Sequence, residues 1–278
     1  MTFATTMAAV IGRPVRHSLS PVMHNAVFQS AGLDWRFERF ELVDGGVPAM
    51  VASMSVLGIA GLAVTRPHKE AAAHVVDEID AAAAALSSVN TVVLRDDGTT
   101  YGASTDGAGL VNWLTASDVA VDGRSVAVVG AGAAGRSIID ALGRAGAADI
   151  AVINRTEATG EAAAQLAAVA HVASHDAVRA ADIIVNATSV GMGTNEVPVD
   201  VDLLRSGQVV ADIVYHPLDT ALLRAARARG CAAIDGLGML VHQAVLQQEL
   251  WTGRCPDPAV LRSAAEAELA RRAATSGG

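Results

Sequence analysis

The 278-residue chain is short of several things at once. Aromatic residues make up 3% of it, too few for base-stacking platforms or aromatic cages. It has two cysteines, Cys231 and Cys255, and no CxxC pair. That argues against a structural zinc site and for a reducing, cytoplasmic setting. Positive charge is scarce: 20 Lys+Arg stand against 29 Asp+Glu, a net charge of −9. An acidic chain without a Lys/Arg run is a poor partner for nucleic acid, whose phosphates need clustered cations. No apolar stretch approaches the roughly 20 residues that span a bilayer, so no membrane partner is expected. The N-terminal segment lacks a charged stretch ahead of its short apolar run, so no secretion signal is expected either. His and carboxylates nowhere gather at ligand spacing, and no metal is expected.

What is abundant is apolar: 51% of residues are hydrophobic, enough to bury a substantial core. Short apolar runs alternate with Ala-rich amphipathic stretches. The pattern predicts strands at 8–12, 37–42, 59–64, 91–95, 125–129, 149–153, 183–187, 209–213 and 231–235. It predicts helices at 21–31, 47–56, 67–76, 78–86, 108–114, 135–145, 157–166, 221–229, 237–251 and 258–272. Such alternation implies an α/β fold with parallel sheets covered on both faces. The length suits two domains, and GASTDGAG at 102–109 breaks the pattern. The expected division is an N-terminal α/β domain over 1–106, completed by C-terminal helices in 237–278, and a Rossmann-like doubly wound domain over 107–236. The tail from 273 is expected to fray.

The sharpest local signal is GAGAAG, Gly130 to Gly135, after the apolar run Val126–Val129. This GxGxxG form stands between a predicted strand and the helix it opens. There the first glycine permits a tight turn, the second admits a pyrophosphate and the third lets the helix pack close. Dinucleotide enzymes that use NAD carry an acidic residue roughly 20 positions on. Here that strand ends in Asn154-Arg155-Thr156 instead, and a guanidinium suits a 2′-phosphate. NADP is therefore favoured; the plainer reading makes Arg155 a solvated loop residue, with Glu157 beside it.

Four clusters in the first half carry further chemistry. His17-Ser18-Leu19-Ser20-Pro21 precedes a helix; Ser20 reads as its N-cap, and two hydroxyls at a helix start also suit a small carboxylate. In Thr65-Arg66-Pro67-His68-Lys69 the lysine falls in a first helical turn. The positive end of a helix disfavours an ammonium there, although an exposed surface lysine is the commoner case. His68 is expected to pack or cap. Asn90, in Ser88-Val89-Asn90-Thr91, is either a turn residue or a polar contact. Asp106, in Ser104-Thr105-Asp106-Gly107, caps the next helix or pairs with Lys69 as acid and base.

Taken in order, these strings resemble the shikimate dehydrogenase family over nearly the whole chain. They are IGRPVRHSLSPVMHN, VTRPHK, SVNT, TDGAGL, GAGAAG, NRT, NATSVGM, DIVYHP, GLGMLVHQA and WTG. The resemblance implies NADP-linked interconversion of 3-dehydroshikimate and shikimate. It implies Lys69 and Asp106 as the catalytic pair, and Ser18, Ser20 and Tyr215 as carboxylate contacts. Thr65, Asn90 and Gln243 would meet the ring hydroxyls. Gly130, Ala131, Gly132, Ala133, Ala134 and Gly135 would hold the pyrophosphate, and Asn154, Arg155 and Thr156 the adenosine ribose and its phosphate. Thr188, Ser189 and Met192 would lie on the cofactor side, and Gly236 and Met239 by the nicotinamide. The chain departs from the family at Ala63, usually Asn, at Ser104, usually Asn, and at Thr159, often basic, which leaves room for NAD. Gln247 and Gln248 stand near a usual Phe and are expected at the pocket mouth or on the surface. The alternatives are a quinate or aminoshikimate dehydrogenase using NAD, a non-catalytic dinucleotide sensor, and a tetrahydrofolate-linked dehydrogenase. The partner expected is a small ring acid, with the protein a monomer or homodimer.

Overall fold

The structure, a computed structural model, describes residues 5–276. Residues 1–4, within the stretch read for a secretion signal, and 277–278, at the end of the predicted frayed tail, lie outside it. The chain divides into two compact units, one holding the residues up to Thr105 together with those from Gln243 on, the other Asp106–His242.

The first unit contains β1 (Thr6–Gly12), α1 (Ser20–Ser30), β2 (Trp35–Glu41), α2 (Val47–Leu57), β3 (Ile59–Val64), α3 (Lys69–Val75), β4 (Glu78–Ile79), α4 (Ala81–Leu86), β5 (Thr91–Leu94) and β6 (Thr100–Ala103). Its sheet runs in the order β2-β1-β3-β5-β6-β4. Alternate residues of β1 and β3 enter different apolar clusters: Ala9, Ile11, Leu62 and Val64 on one face, Ala8, Val10 and Ala63 on the other. A strand pattern of period two buries both faces in this way. The sheet is mixed, contrary to the expectation of parallel strands throughout, because β5 runs antiparallel to β3 and to β6. A tight turn between β5 and β6 sets the second of these pairs: Asp97 Oδ1 accepts the Thr99 amide at 2.9 Å, and Gly98 has φ +86°. The predicted helix at 78–86 also shortens. Glu78–Ile79 pairs as β4, and α4 starts only after Asp80, whose carboxylate accepts the Ala83 amide, the standard N-cap bond.

The second unit contains α5 (Asp106–Ala116), β7 (Ser125–Val129), α6 (Ala133–Arg144), β8 (Asp149–Ile153), α7 (Glu157–Ala164), β9 (Ala170–Val172), α8 (Ala177–Ala180), β10 (Ile183–Asn186), β11 (Val209–Asp212), α9 (Ala221–Ala228) and β12 (Ala232–Ile234). Its described strands are all parallel and ordered β12-β11-β10-β7-β8-β9. Counted from β7, that is the doubly wound 3-2-1-4-5-6 order of Rossmann folds. Val126 and Val128 face one apolar cluster and Ala127 and Val129 another, so both faces are covered. The chain order reverses between β7 and β10, and ligands of open parallel sheets bind outside the carboxyl ends at such a switch point.

Two long helices end the chain, α10 (Gly236–Thr252) and α11 (Pro258–Ser276). The division between units falls within α10, after His242. The predicted fraying from 273 does not hold as far as Ser276, since α11 continues to that residue. Among the described residues no helix is long and apolar enough to cross a membrane, and no cluster of His, Cys, Asp or Glu is arranged to hold a metal.

Candidate active site

In the first unit the register gathers most of the expected residues along one rim of the sheet. Ile11 lies opposite Val64, Ala63 opposite Thr91, and Thr91 opposite Ala103. The loop after β1, Thr65 after β3, Asn90 before β5 and Ser104-Thr105 after β6 therefore all leave the sheet at the same edge. Asn90 is buried there and ties three strands together. Its Nδ2 donates to Thr105 Oγ1 at 2.9 Å. Its Oδ1 accepts the Thr91 hydroxyl at 2.8 Å and the Thr105 amide at 2.9 Å. Asn90 is thus no solvated turn residue; a buried amide must be hydrogen-bonded, and this one organises the rim.

Lys69 is the first residue of α3, and its carbonyl accepts the Val89 amide at 3.0 Å. The Thr65 amide is held by the Ile11 carbonyl at 2.9 Å, and the Thr65 carbonyl by the His68 amide at 3.0 Å. His68 packs as expected: it is 3% exposed, with Nε2 3.2 Å from the Leu42 carbonyl. Ser18 and Ser20 open α1, though Ser20 is not its cap. The N-cap is Leu19, without a side-chain bond, because Leu19 is buried and Ser18 Oγ accepts the Ser20 amide at 3.2 Å instead. Both serines remain partly exposed.

The departures resolve differently. Ala63 faces the apolar cluster of Ala8, Val10, Phe37 and Trp251, so it is a core position and not a polar wall. Gln247 and Gln248, expected at a pocket mouth or on the surface, are 4% and 1% exposed. Gln247 Nε2 donates to Thr91 Oγ1 at 3.1 Å and to the Asn90 carbonyl at 3.4 Å. Residues four apart share a helix face, so Gln243 lies one turn from this contact on the same side of α10. Gln248 Nε2 meets His24 Nδ1 at 3.0 Å. His24 stacks on Phe37 at 4.4 Å, and burial pulls its pKa down to about 3. Nothing local in the sequence marks the two glutamines as buried, because their partners lie far along the chain, at Thr91 and His24.

In the second unit the glycine loop has the three separate roles its spacing requires. Gly130 has φ +104°, and a Cβ there would come 2.7 Å from Thr188 Cγ2. At Gly132 a Cβ would meet nothing within 4 Å, leaving open backbone. At Gly135 it would strike the Gly130 carbonyl, so only glycine lets α6 close on the loop. Asn154 Oδ1 accepts the Ala131 amide at 3.1 Å and its Nδ2 donates to the Thr156 carbonyl at 2.8 Å, joining the loop to the tip of β8. Arg155, Thr156 and Thr159 are exposed.

Across the switch point, Asn186 and Asp212 end neighbouring strands. Asn186 donates to Asp212 Oδ1 at 2.8 Å and accepts the Thr188 hydroxyl at 2.7 Å. Asp212 also accepts the Val214 amide at 3.1 Å and the Thr220 hydroxyl at 2.7 Å. Burial raises the Asp212 carboxyl above its ordinary range, and these three bonds oppose the rise. One buried carboxylate thereby sets the loop of Thr188, Ser189 and Met192 and the loop of Tyr215. Gly236 packs against the Ile213 and Val214 carbonyls, whereas Met239 is buried in the apolar cluster under the sheet. Asp106 begins α5 and is 9% exposed. The next residue anchors it: the Gly107 amide donates to Ser137 Oγ at 2.7 Å, and a Cβ at 107 would strike the Ser137 carbonyl.

Three family models match along the chain: the shikimate dehydrogenase substrate binding domain over residues 10–92, shikimate / quinate 5-dehydrogenase over 114–194, and the shikimate 5'-dehydrogenase C-terminal domain over 236–266. The NADP(+) shikimate dehydrogenase of Thermococcus kodakarensis is 41% identical over 94% of this chain and 96% of its own. The chain belongs to the shikimate dehydrogenase family. Among solved structures, a shikimate dehydrogenase in complex with NADP+ superposes with a TM-score of 0.90 at 34% identity, over 95% of this chain and 96% of that one. The Thermus thermophilus enzyme, in complex with NADP(H) and shikimate, gives 0.88 at 35% identity over 94% and 98%. Both units have counterparts in these shikimate dehydrogenases, so the two-part α/β architecture is the family's own.

Proposed function

We propose that the protein catalyses the reversible, NADP-linked reduction of 3-dehydroshikimate to shikimate. The carrying observation is that one chain holds both halves of the required chemistry. The first unit has a polar rim of Ser18, Ser20, Thr65, Lys69 and Asn90, and the second a glycine loop with an accessible backbone and Arg155 at its ribose end. The likeness to relatives named for this reaction supports the same reading. The first unit is the substrate domain and the second the cofactor domain.

The cofactor loop fits a dinucleotide: its left-handed first glycine, open second glycine and closely packed third lead straight into the start of α6, where the first-turn amides suit a phosphate. When bound, NADPH supplies the hydride that reduces the ring ketone. The Lys69 ammonium gives its proton to the oxygen that becomes the alcohol, and takes it back in oxidation. Asp106 is the carboxylate of the pair, accepting a hydrogen bond from a ring hydroxyl and holding the substrate in place. Ser18, Ser20 and Tyr215 bind the carboxylate, while Thr65, Asn90 and Gln243 read the ring hydroxyls. Gln247, through Asn90 and Thr91, keeps that rim rigid. Two free thiols, Cys231 and Cys255, suit work in the cytoplasm.

The test is to offer shikimate and quinate, each with NADP+ and with NAD+, and to follow nicotinamide absorbance. Shikimate with NADP+ is expected to react fastest. Turnover with quinate and NAD+ alone overturns the substrate and cofactor assignment, and no turnover with any pair overturns the enzymatic reading.

A further inference from the structure

The loop that carries Ser18 is gripped by two guanidinium groups on its backbone. Arg272, near the end of α11, donates from Nη1 to the His17 carbonyl at 2.7 Å, across 255 residues of sequence. Arg39, on β2, donates from Nη2 to the Ser18 carbonyl at 3.0 Å. Two consecutive carbonyls are therefore held by cations from two different elements. Arg272 is itself fixed, because its Nε donates to Glu268 at 2.8 Å. Arg271 donates to the same carboxylate from Nε and Nη2 at 2.7 and 2.8 Å, and the two arginines hold the Glu268 carboxyl down to about 2.

The surrounding charge is unusual for this molecule. The chain carries a net −9, yet Arg39 and Arg272 meet on consecutive carbonyls of this loop, Arg271 shares the carboxylate that braces Arg272, and Arg16 belongs to the loop itself. The acidic groups beside them are Glu41, 4.0 Å from Arg16, and Glu268. A local positive field within an acidic protein draws in small anions and favours their bound state.

We propose that Arg272 and Arg39 are positioning residues for the substrate carboxylate. They fix the backbone that presents Ser18 and Ser20, and they supply the positive field that an anionic ring acid meets there. The inference rests on the reading of the two serines as carboxylate contacts. Neither arginine falls in a motif that the sequence marks out, and the contact from α11 joins opposite ends of the chain.

The experiment compares Arg272→Gln, Arg272→Lys and Arg39→Gln with the wild-type protein, using shikimate and its methyl ester. Each Gln variant is expected to raise KM for shikimate roughly three- to fivefold, the scale of a partly exposed charge. KM for NADP+ and kcat should stay within about twofold, as should the constant for the uncharged ester. Arg272→Lys, which keeps the charge, should recover most of the loss. The proposal is overturned if acid and ester weaken in parallel, which would mean lost packing alone, or if KM holds while only thermal stability falls. Should Arg272→Gln fail to fold, Arg39→Gln reads the same loop from β2. Wild-type protein inactive with shikimate would instead overturn the functional reading, a failure distinct from either of these.

Discussion

Arg155 and Asn90 mark the two extremes of what a single residue discloses. Arg155 is exposed at the tip of a strand, the position proposed to meet a 2′-phosphate. Arg155→Ala is expected to raise KM for NADP+ on the order of tenfold and to leave NAD+ within about twofold, since a charge-assisted bond is lost for one cofactor only. Steady-state kinetics with both cofactors checks this, and equal losses would remove the phosphate contact from the account. Asn90, by contrast, acts through partners the sequence does not reveal. Its motif singled it out as polar in an apolar context, but its bonds to Thr105 and from Gln247 span 15 and 157 residues. The glutamines were legible only as departures from a family pattern; burial, which gives them their role, is a property of the folded chain.

At the scale of elements, legibility followed how local each cause is. Ile59–Val64, Ser125–Val129 and Asp149–Ile153 were found at their observed bounds, because each is an apolar run bounded by breakers. The β5–β6 hairpin was missed although Asp97-Gly98 is a standard hairpin turn signal; the glycine and alanine of Thr100–Ala103 made a weak strand. Strand β4 was absorbed into the Ala-rich helix that follows it, since two residues carry no period. The pairing of Asn186 with Asp212 is likewise a product of strand order, which sets β10 beside β11. Asp212→Ala would strand the Asn186, Val214 and Thr220 donors at once. It is expected to cost about 2–4 kcal/mol of stability and to raise KM for NADP+, whereas Asp212→Asn, which keeps one acceptor and the shape, should retain most of both. Denaturant unfolding alongside kinetics distinguishes them. Equal behaviour of the two variants would deny Asp212 its role in setting the loops.

For the whole molecule, the buried His24 ties stability to pH. Its pKa lies at about 3 in the folded chain against an ordinary 6.5, so between those values the unfolded chain binds a proton that the folded chain refuses. Its neutral burial is fully tolerated above 6.5, and stability falls as pH drops toward 3, by up to about 1.4 kcal/mol per pH unit. His24→Phe should flatten the stability profile just below pH 6.5, before ordinary carboxylates begin to take up protons; an unchanged slope in urea midpoints would assign the acid sensitivity elsewhere. The larger claim is that two units of different topology serve one hydride transfer, with Lys69 supplying the proton. Its most direct test is Lys69→Ala, measured for turnover of shikimate with NADP+ and, separately, for NADPH binding. Turnover should fall roughly 10²–10⁴-fold, the usual contribution of a positioned acid–base group, while NADPH affinity stays within about twofold. A variant that kept most of its turnover would contradict the account.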